Sequence, residues 1–194
     1  NEMTVTQVAV DGEFLDITGT GYQTEGEFLC DGEVVNLSEN FPGILTALWI
    51  AALNNDATLE TDYDEQGQRT TRMVGDPTEG ALLVAAAKAG ALPAPLAQAY
   101  PRIEEIPFDS ERKRMVTVHA VESPNAQDVS PFYDEKQQKA WYVVTQKGAP
   151  DVVLDRCTHY QSREDEAVPL NDEQRRRILE ANDRMTSNAL RVLG

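Results

Sequence analysis

Two short segments set polar groups at backbone transitions where a nucleotide could be held: Gly75-Asp76-Pro77-Thr78-Glu79-Gly80-Ala81-Leu82 and Lys147-Gly148-Ala149-Pro150. Gly75 and Gly80 have the separation of the outer glycines of a phosphate-binding P-loop. Ala81-Leu82, however, stands where Lys followed by Ser or Thr is needed, and Glu79 would repel a phosphate. The carboxylate can instead accept a hydrogen bond from an exocyclic amine such as adenine N6. Spacing alone explains Glu79 more simply, as the capping-box acid of a helix whose N-cap is Asp76. Lys147 ends the apolar run from Trp141 to Val144 and precedes Gly148, which permits a tight backbone turn and close approach of a ligand. A lysine there can be a point charge for phosphate oxygens while its stem covers a base ring; the plainer reading is a solvated lysine at a strand end. Phe108 lies between Ile106-Pro107 and the charged run Asp109-Ser110-Glu111-Arg112-Lys113-Arg114, the densest basic cluster in the chain. Its ring can stack on a nucleobase, a contact of ~1–3 kcal/mol, or it can be an ordinary core residue.

Other chemistries find no support in the residues. Asp62, Asp64 and Gly67 come near the spacing of a calcium-binding EF-hand loop, but Met73 stands where the closing Glu belongs, so a polar loop between two strands is expected. His119 and His159 have no second His, Cys or acid at ligand or triad spacing and read as ordinary strand residues. No serine has a nucleophile-elbow pattern. A self-contained phosphatase or kinase would need a nucleophile or metal cluster that the spacing does not offer. Cys30 and Cys157 form neither a CxxC nor a disulfide framework, which fits a reducing, cytosolic setting.

The elements that must carry these groups read as α+β. Thr4 to Val10 and Glu13 to Thr18 alternate around Asp11-Gly12, a hairpin signal. A helix is expected from Pro42 to Leu53, ending at Asn54-Asn55-Asp56, and a strand from Thr70 to Val74. Asp76, Pro77 and Glu79 then start the best-marked helix, which Gly90 stops. Pro93 and Pro95 read as a link. Strands are expected at Arg102 to Phe108, Met115 to Val121 and Ala140 to Gln146, with 122–139 an exposed hairpin excursion. A short helix over Pro150 to Cys157 and a strand at His159 to Ser162 follow. Asn171 then caps an amphipathic helix to about Ser187, with Gln174 at the capping-box place and Ile178, Leu179 and Met185 on the apolar face. The sum is a twisted antiparallel β-sheet flanked by helices on both sides, one domain over 1–194.

Net charge and length bound the partners. A formal charge of -16 with 17 Lys and Arg disfavours nucleic acid and anionic membrane surfaces. The longest apolar stretch, Ile44 to Leu53, is about half a bilayer span. The chain is therefore expected to stand outside the membrane, and as a monomer. Its final run, Ala189-Leu190-Arg191-Val192-Leu193-Gly194, reads as a strand that is cut off, so a fragment of something larger is expected.

Taken in order, Gly75 to Leu82, Phe108 to Met115, Lys147 to Pro150 and Ala189 to Leu193 resemble the nucleotide-binding (N) domain of the P-type cation-transporting ATPases, in the calcium and sodium/potassium pump subgroup. Asn1-Glu2-Met3-Thr4 resembles the segment after that family's phosphorylated aspartate, and the histidine motif of the heavy-metal pumps is absent. The resemblance implies that Phe108 stacks on adenine, Glu79 bonds its amino group, Lys147 lines the pocket and Gly148 admits the base. It further implies that Lys113 and Arg191 meet the phosphate tail with Thr78 and Ser110 nearby. ATP would be the substrate, with Mg2+ in the full-length protein. The partners would be the phosphorylation and actuator domains of the same parent chain, this domain lying on the cytoplasmic side of an integral membrane protein. Asn54 departs from the family's usual cysteine, and Gln146 from a usual apolar residue. The competing reading is a non-enzymatic acidic interaction module.

Overall fold

The computed structural model describes residues 2–63, 66, 69–121 and 141–194. The expected excursion at 122–139, like Asp64 and Gly67, lies outside the described residues.

The chain opens on a four-stranded antiparallel sheet in the order β1-β2-β3-β4: β1 Gln7–Val10, β2 Glu13–Ile17, β3 Phe28–Cys30 and β4 Glu33–Val34. Both tight connections are Asp-Gly with positive φ at each residue, 53° and 82° at Asp11-Gly12, 50° and 85° at Asp31-Gly32. That geometry suits the right-handed twist of the flanking strands. A short helix α1, Leu37–Asn40, is capped by Asn36, whose Oδ1 accepts from Ser38 N–H at 3.1 Å. Helix α2, Pro42–Leu53, buries Ile44, Leu45, Leu48, Trp49 and Leu53, and so is a core helix rather than an amphipathic one.

Strands β5, Thr58–Tyr63, and β6, Arg69–Val74, form a separate hairpin. Gly75 follows at φ 127°, and a Cβ there would lie 2.8 Å from Ala57 Cα, so only glycine turns β6 into the next helix. That helix, α3 Pro77–Lys88, is capped by Asp76, whose Oδ1 accepts from Thr78 N–H at 2.8 Å. The Pro93/Pro95 link is instead a helix, α4 Pro93–Ala99. Its prolines fall in the first turn, where no intrahelical N–H partner is required, and buried Leu96 and Tyr100 hold it down.

Strands β7 Arg102–Asp109, β8 Arg114–Val121 and β9 Trp141–Gly148 form a three-stranded antiparallel sheet with β8 in the centre. The β8–β9 register runs unbroken from Arg114↔Gly148 to Val121↔Trp141, while β7 is irregular between Ile106 and Asp109. The chain continues through α5 Pro150–Leu154, a hairpin of β10 His159–Gln161 with β11 Ala167–Pro169, and α6 Asp172–Ser187. Asn171 caps α6 through Glu173 N–H at 2.9 Å and Gln174 N–H at 3.0 Å. The reciprocal capping-box bond is not made: Gln174 Oε1 is buried and accepts no hydrogen bond from any described residue.

The α+β class and the antiparallel pairing follow the expectation. Hydrogen bonding among the described residues divides the strands into sheets of four, three, two and two. Leu15, Ile17 and Phe28 of the first sheet, α2, Ala85 and Ala86 of α3, and Val121 and Val143 of the third share one core. Helix α2 thus links both larger sheets. Ala189 to Gly194 is not a regular strand, although Gly194 exchanges two 2.9 Å hydrogen bonds with Gly148 in strand fashion. Among the described residues no helix is long and apolar enough to cross a membrane.

Candidate functional site

Three elements meet at one end of the three-stranded sheet. Val143 and Thr145 of β9 are buried, and strand alternation puts Lys147 on the same inward face. There its Nζ donates to Glu79 Oε1, on the first turn of α3, and to the carbonyl oxygen of Asn54, which ends α2. The pair is largely buried, with side-chain exposures of 13% and 15%. Glu79 Oε2 accepts from Asp56 N–H at 3.1 Å. The capping-box reading of Glu79 is thereby corrected: among the described residues no hydrogen bond joins its carboxylate to Asp76 N–H. The reason is burial: Asp76 is exposed, whereas a mostly buried ammonium is costly without a counter-charge, so Glu79 pairs with Lys147.

The end of α2 is itself braced. Asn55 Nδ2 donates to the Glu79 carbonyl at 2.9 Å. Arg102, at the start of β7, donates to Asp56 Oδ1 and Asn55 O, both at 2.5 Å, and to Leu53 O at 3.3 Å. Asn54 is fully buried, and its Nδ2 donates to Thr145 O at 2.9 Å. The sequence shows these residues only as a helix-breaking polar run and a strand start. The missed signal is their position, directly after the most apolar helix in the chain.

Behind the pair runs a buried polar line: Thr145 Oγ1 to Thr117 Oγ1 at 2.7 Å, Thr117 Oγ1 to His119 Nε2 at 2.8 Å, and His119 Nδ1 to Tyr100 O at 2.9 Å. Burial pushes the His119 pKa below its ordinary value; the Tyr100 carbonyl opposes this and the Arg102 charge adds to it. His119 is thus a satisfied core residue, as its sequence context suggested.

The remaining candidates lie on or near the surface. Phe108 is 62% exposed on β7. Asp109 Oδ1 accepts from Arg112 N–H at 2.8 Å and Glu111 N–H at 3.0 Å, folding the run into a turn closed by Lys113 N–H to Asp109 O at 2.7 Å. The Arg112 N–H bond holds the Asp109 carboxyl below its usual range; slight burial opposes, while the Glu111 N–H and the Arg112 charge reinforce. Ser110 and Lys113 are exposed, Lys113 with φ 52°. Thr78 is half-buried beside Asp76. Burial pushes the Asp76 carboxyl up, but Thr78 and Glu79 hydrogen bonds and the charge of nearby Arg191 leave it lowered overall.

Gly148 is not a tight turn but a strand residue paired with Arg114. A Cβ on it would lie 2.3 Å from Lys113 O and 2.8 Å from Arg114 Cβ, so glycine is required by the approach of β8. The structure therefore brings Glu79 and Lys147 into contact, with Thr78 and Gly148 adjacent in the chain. Phe108, Ser110 and Lys113 are on the turn at the same end of the sheet. No hydrogen bond or ion pair joins Ser110, Lys113 or Arg191 to Glu79 or Lys147 among the described residues. A separate open concavity of about 570 Å3, lined by Glu13, Cys30, Asp31, Phe41 and Arg163 among others, contains none of the candidates.

This arrangement is suited to recognition. A paired Lys and Glu present donors and acceptors with little net charge, which suits a neutral base, while exposed cations wait nearby. The sequence profile described as P-type ATPase, cytoplasmic domain N, matches residues 44–194. The chain belongs to this family. Among similar proteins are the "Probable cation-transporting ATPase F" of Mycobacterium bovis, 36% identical over the whole chain and 19% of that protein's length, and the "Calcium-transporting ATPase" of Bacillus subtilis, 34% identical with the same coverage. The human "Calcium-transporting ATPase type 2C member 1" is 35% identical over the whole chain and 18% of its own length. The chain thus spans about a fifth of the relatives it matches. The N domain of P-type ATPases is the family's ATP-binding unit.

Proposed function

We propose that this N domain holds ATP with its adenine between the Phe108 ring and the Glu79–Lys147 pair. Its triphosphate would lie toward Lys113 and Arg191, with Thr78 and Ser110 beside the tail. The observation that carries the reading is the largely buried Glu79–Lys147 pair at the same sheet end as an exposed aromatic ring and a basic turn. Each Glu79 oxygen accepts one hydrogen bond in the structure and keeps capacity for a second, so an adenine N6 amine can be accepted without breaking the pair. The Lys147 stem would line the base.

In the parent pump, whose further parts would include the phosphorylation and actuator domains and a membrane region, hinge closure would carry the γ-phosphate to an aspartate on the phosphorylation domain. Positioning and charge neutralisation would supply the catalysis. Mg2+ would travel with the triphosphate in the full-length protein, its main anchors lying on the phosphorylation domain.

A calorimetric or NMR titration with ATP, with GTP as control and Phe108→Ala as comparison, tests this. Saturable binding that prefers ATP and weakens in the variant supports it. No binding by the folded chain at millimolar ATP would transfer the weight to an acidic interaction module.

A further inference from the structure

We propose that Asn54 is a positioning residue of the nucleotide site, holding Lys147 at the place where it meets the base. The proposal rests on the reading of Glu79 and Lys147 as the adenine pocket.

Asn54 grips β9 twice. Its side chain donates through Nδ2 to Thr145 O at 2.9 Å, with Thr145 Oγ1 at 3.3 Å and Met115 O at 3.4 Å. Its main-chain carbonyl accepts Lys147 Nζ. Thr145 lies two residues before Lys147 on the same face of β9, and Met115 is the cross-strand partner of Lys147. A closed ring results, running from the Asn54 amide to the β9 backbone, along β9 to Lys147, and back from Nζ to Asn54. Lysine has a long, freely rotating stem. The ring fixes both its root and its tip before any ligand arrives, which is how preorganisation strengthens binding.

The buried polar line decides which way the Asn54 amide points. His119 Nδ1 must donate to the Tyr100 carbonyl, so in the neutral ring Nε2 accepts from the Thr117 hydroxyl. Thr117 then accepts from Thr145, and Thr145 accepts from Asn54. An amide turned the other way would set Oδ1 against the Thr145 carbonyl. Asn54 is fully buried: its Nδ2 is satisfied by Thr145 and Met115, while its Oδ1 accepts no hydrogen bond from any described residue.

A double-mutant cycle on ATP affinity separates positioning from simple welding of α2 to the sheet. Asn54→Ala should weaken ATP binding by about fivefold to tenfold in the otherwise unchanged chain, and by less than about twofold when Lys147→Ala is already present, since a residue acting through another shows strong coupling. An equal loss in both backgrounds, or no loss in either, overturns the proposal. If Lys147→Ala alone leaves ATP affinity unchanged, the pocket reading itself fails, a distinct result. Should Asn54→Ala not give the folded NMR spectrum, Asn54→Leu, which removes the donor toward Thr145 and keeps the side-chain volume, is taken through the same cycle and judged by the same two outcomes.

Discussion

The Glu79–Lys147 end of the molecule and the Phe108–Arg114 turn are built by opposite means. The ion pair joins residues 68 positions apart, sits at 13% and 15% exposure, and depends on three elements docking correctly. The turn is made by its own residues, Asp109 bonding the backbone of Glu111 and Arg112, and it leaves Phe108 62% exposed. Docking holds the polar groups of the pair in fixed positions, whereas the locally made turn leaves its ring and charges accessible.

The contrast can be broken most severely at the pair. Glu79→Ala strands a mostly buried ammonium and removes the acceptor of Asp56 N–H, and should cost about 2–3 kcal/mol of stability by urea denaturation; a loss below about 0.5 kcal/mol would mean that the pair behaves like a surface bridge. Phe108→Ala should leave stability unchanged while ATP affinity falls by about tenfold, within the scale of base–aromatic stacking; a melting temperature that drops with it would make Phe108 a packing residue.

Acid should distinguish the two regions as well. The folded pKa of His119 is depressed, chiefly by burial, so below about 6.5 the unfolded chain binds the extra proton more readily. Its contribution is complete above that pH and is lost as pH falls toward the folded value. Stability measured across pH 7 to 5 should decline, and His119→Gln should flatten the decline; an equal slope in the variant would clear His119. The smallest effect belongs to Lys113→Ala, about a twofold weakening of ATP binding at low salt that disappears near 0.5 M salt, as expected of an exposed charge.

Much of the frame was legible from residues alone. Pro42 and Asn54 bracket α2 in sequence as in structure, Asp76 caps α3, and Asn171 caps α6. Asp31-Gly32 carries the same signal as Asp11-Gly12, but strands β3 and β4, three and two residues long, are too short to show an alternating pattern. Helix α4 was hidden by prolines that the first turn tolerates. The family resemblance selected Glu79, Lys147 and Phe108, but the brace formed by Asn54, Asn55 and Arg102 had no local signature. Its contacts cross up to 93 residues.

By itself the sequence determined where α2, α3 and α6 begin, that the first hairpin alternates, and that a basic turn follows Phe108, because capping, periodicity and turn chemistry act over a few residues. Only the tertiary structure decided that Glu79 answers Lys147 rather than its own helix end, that Gly148 makes room for β8, and that Asn54 is buried. Each of those outcomes depends on burial, which sets the cost of an unpaired polar group and is a property of the packed elements together.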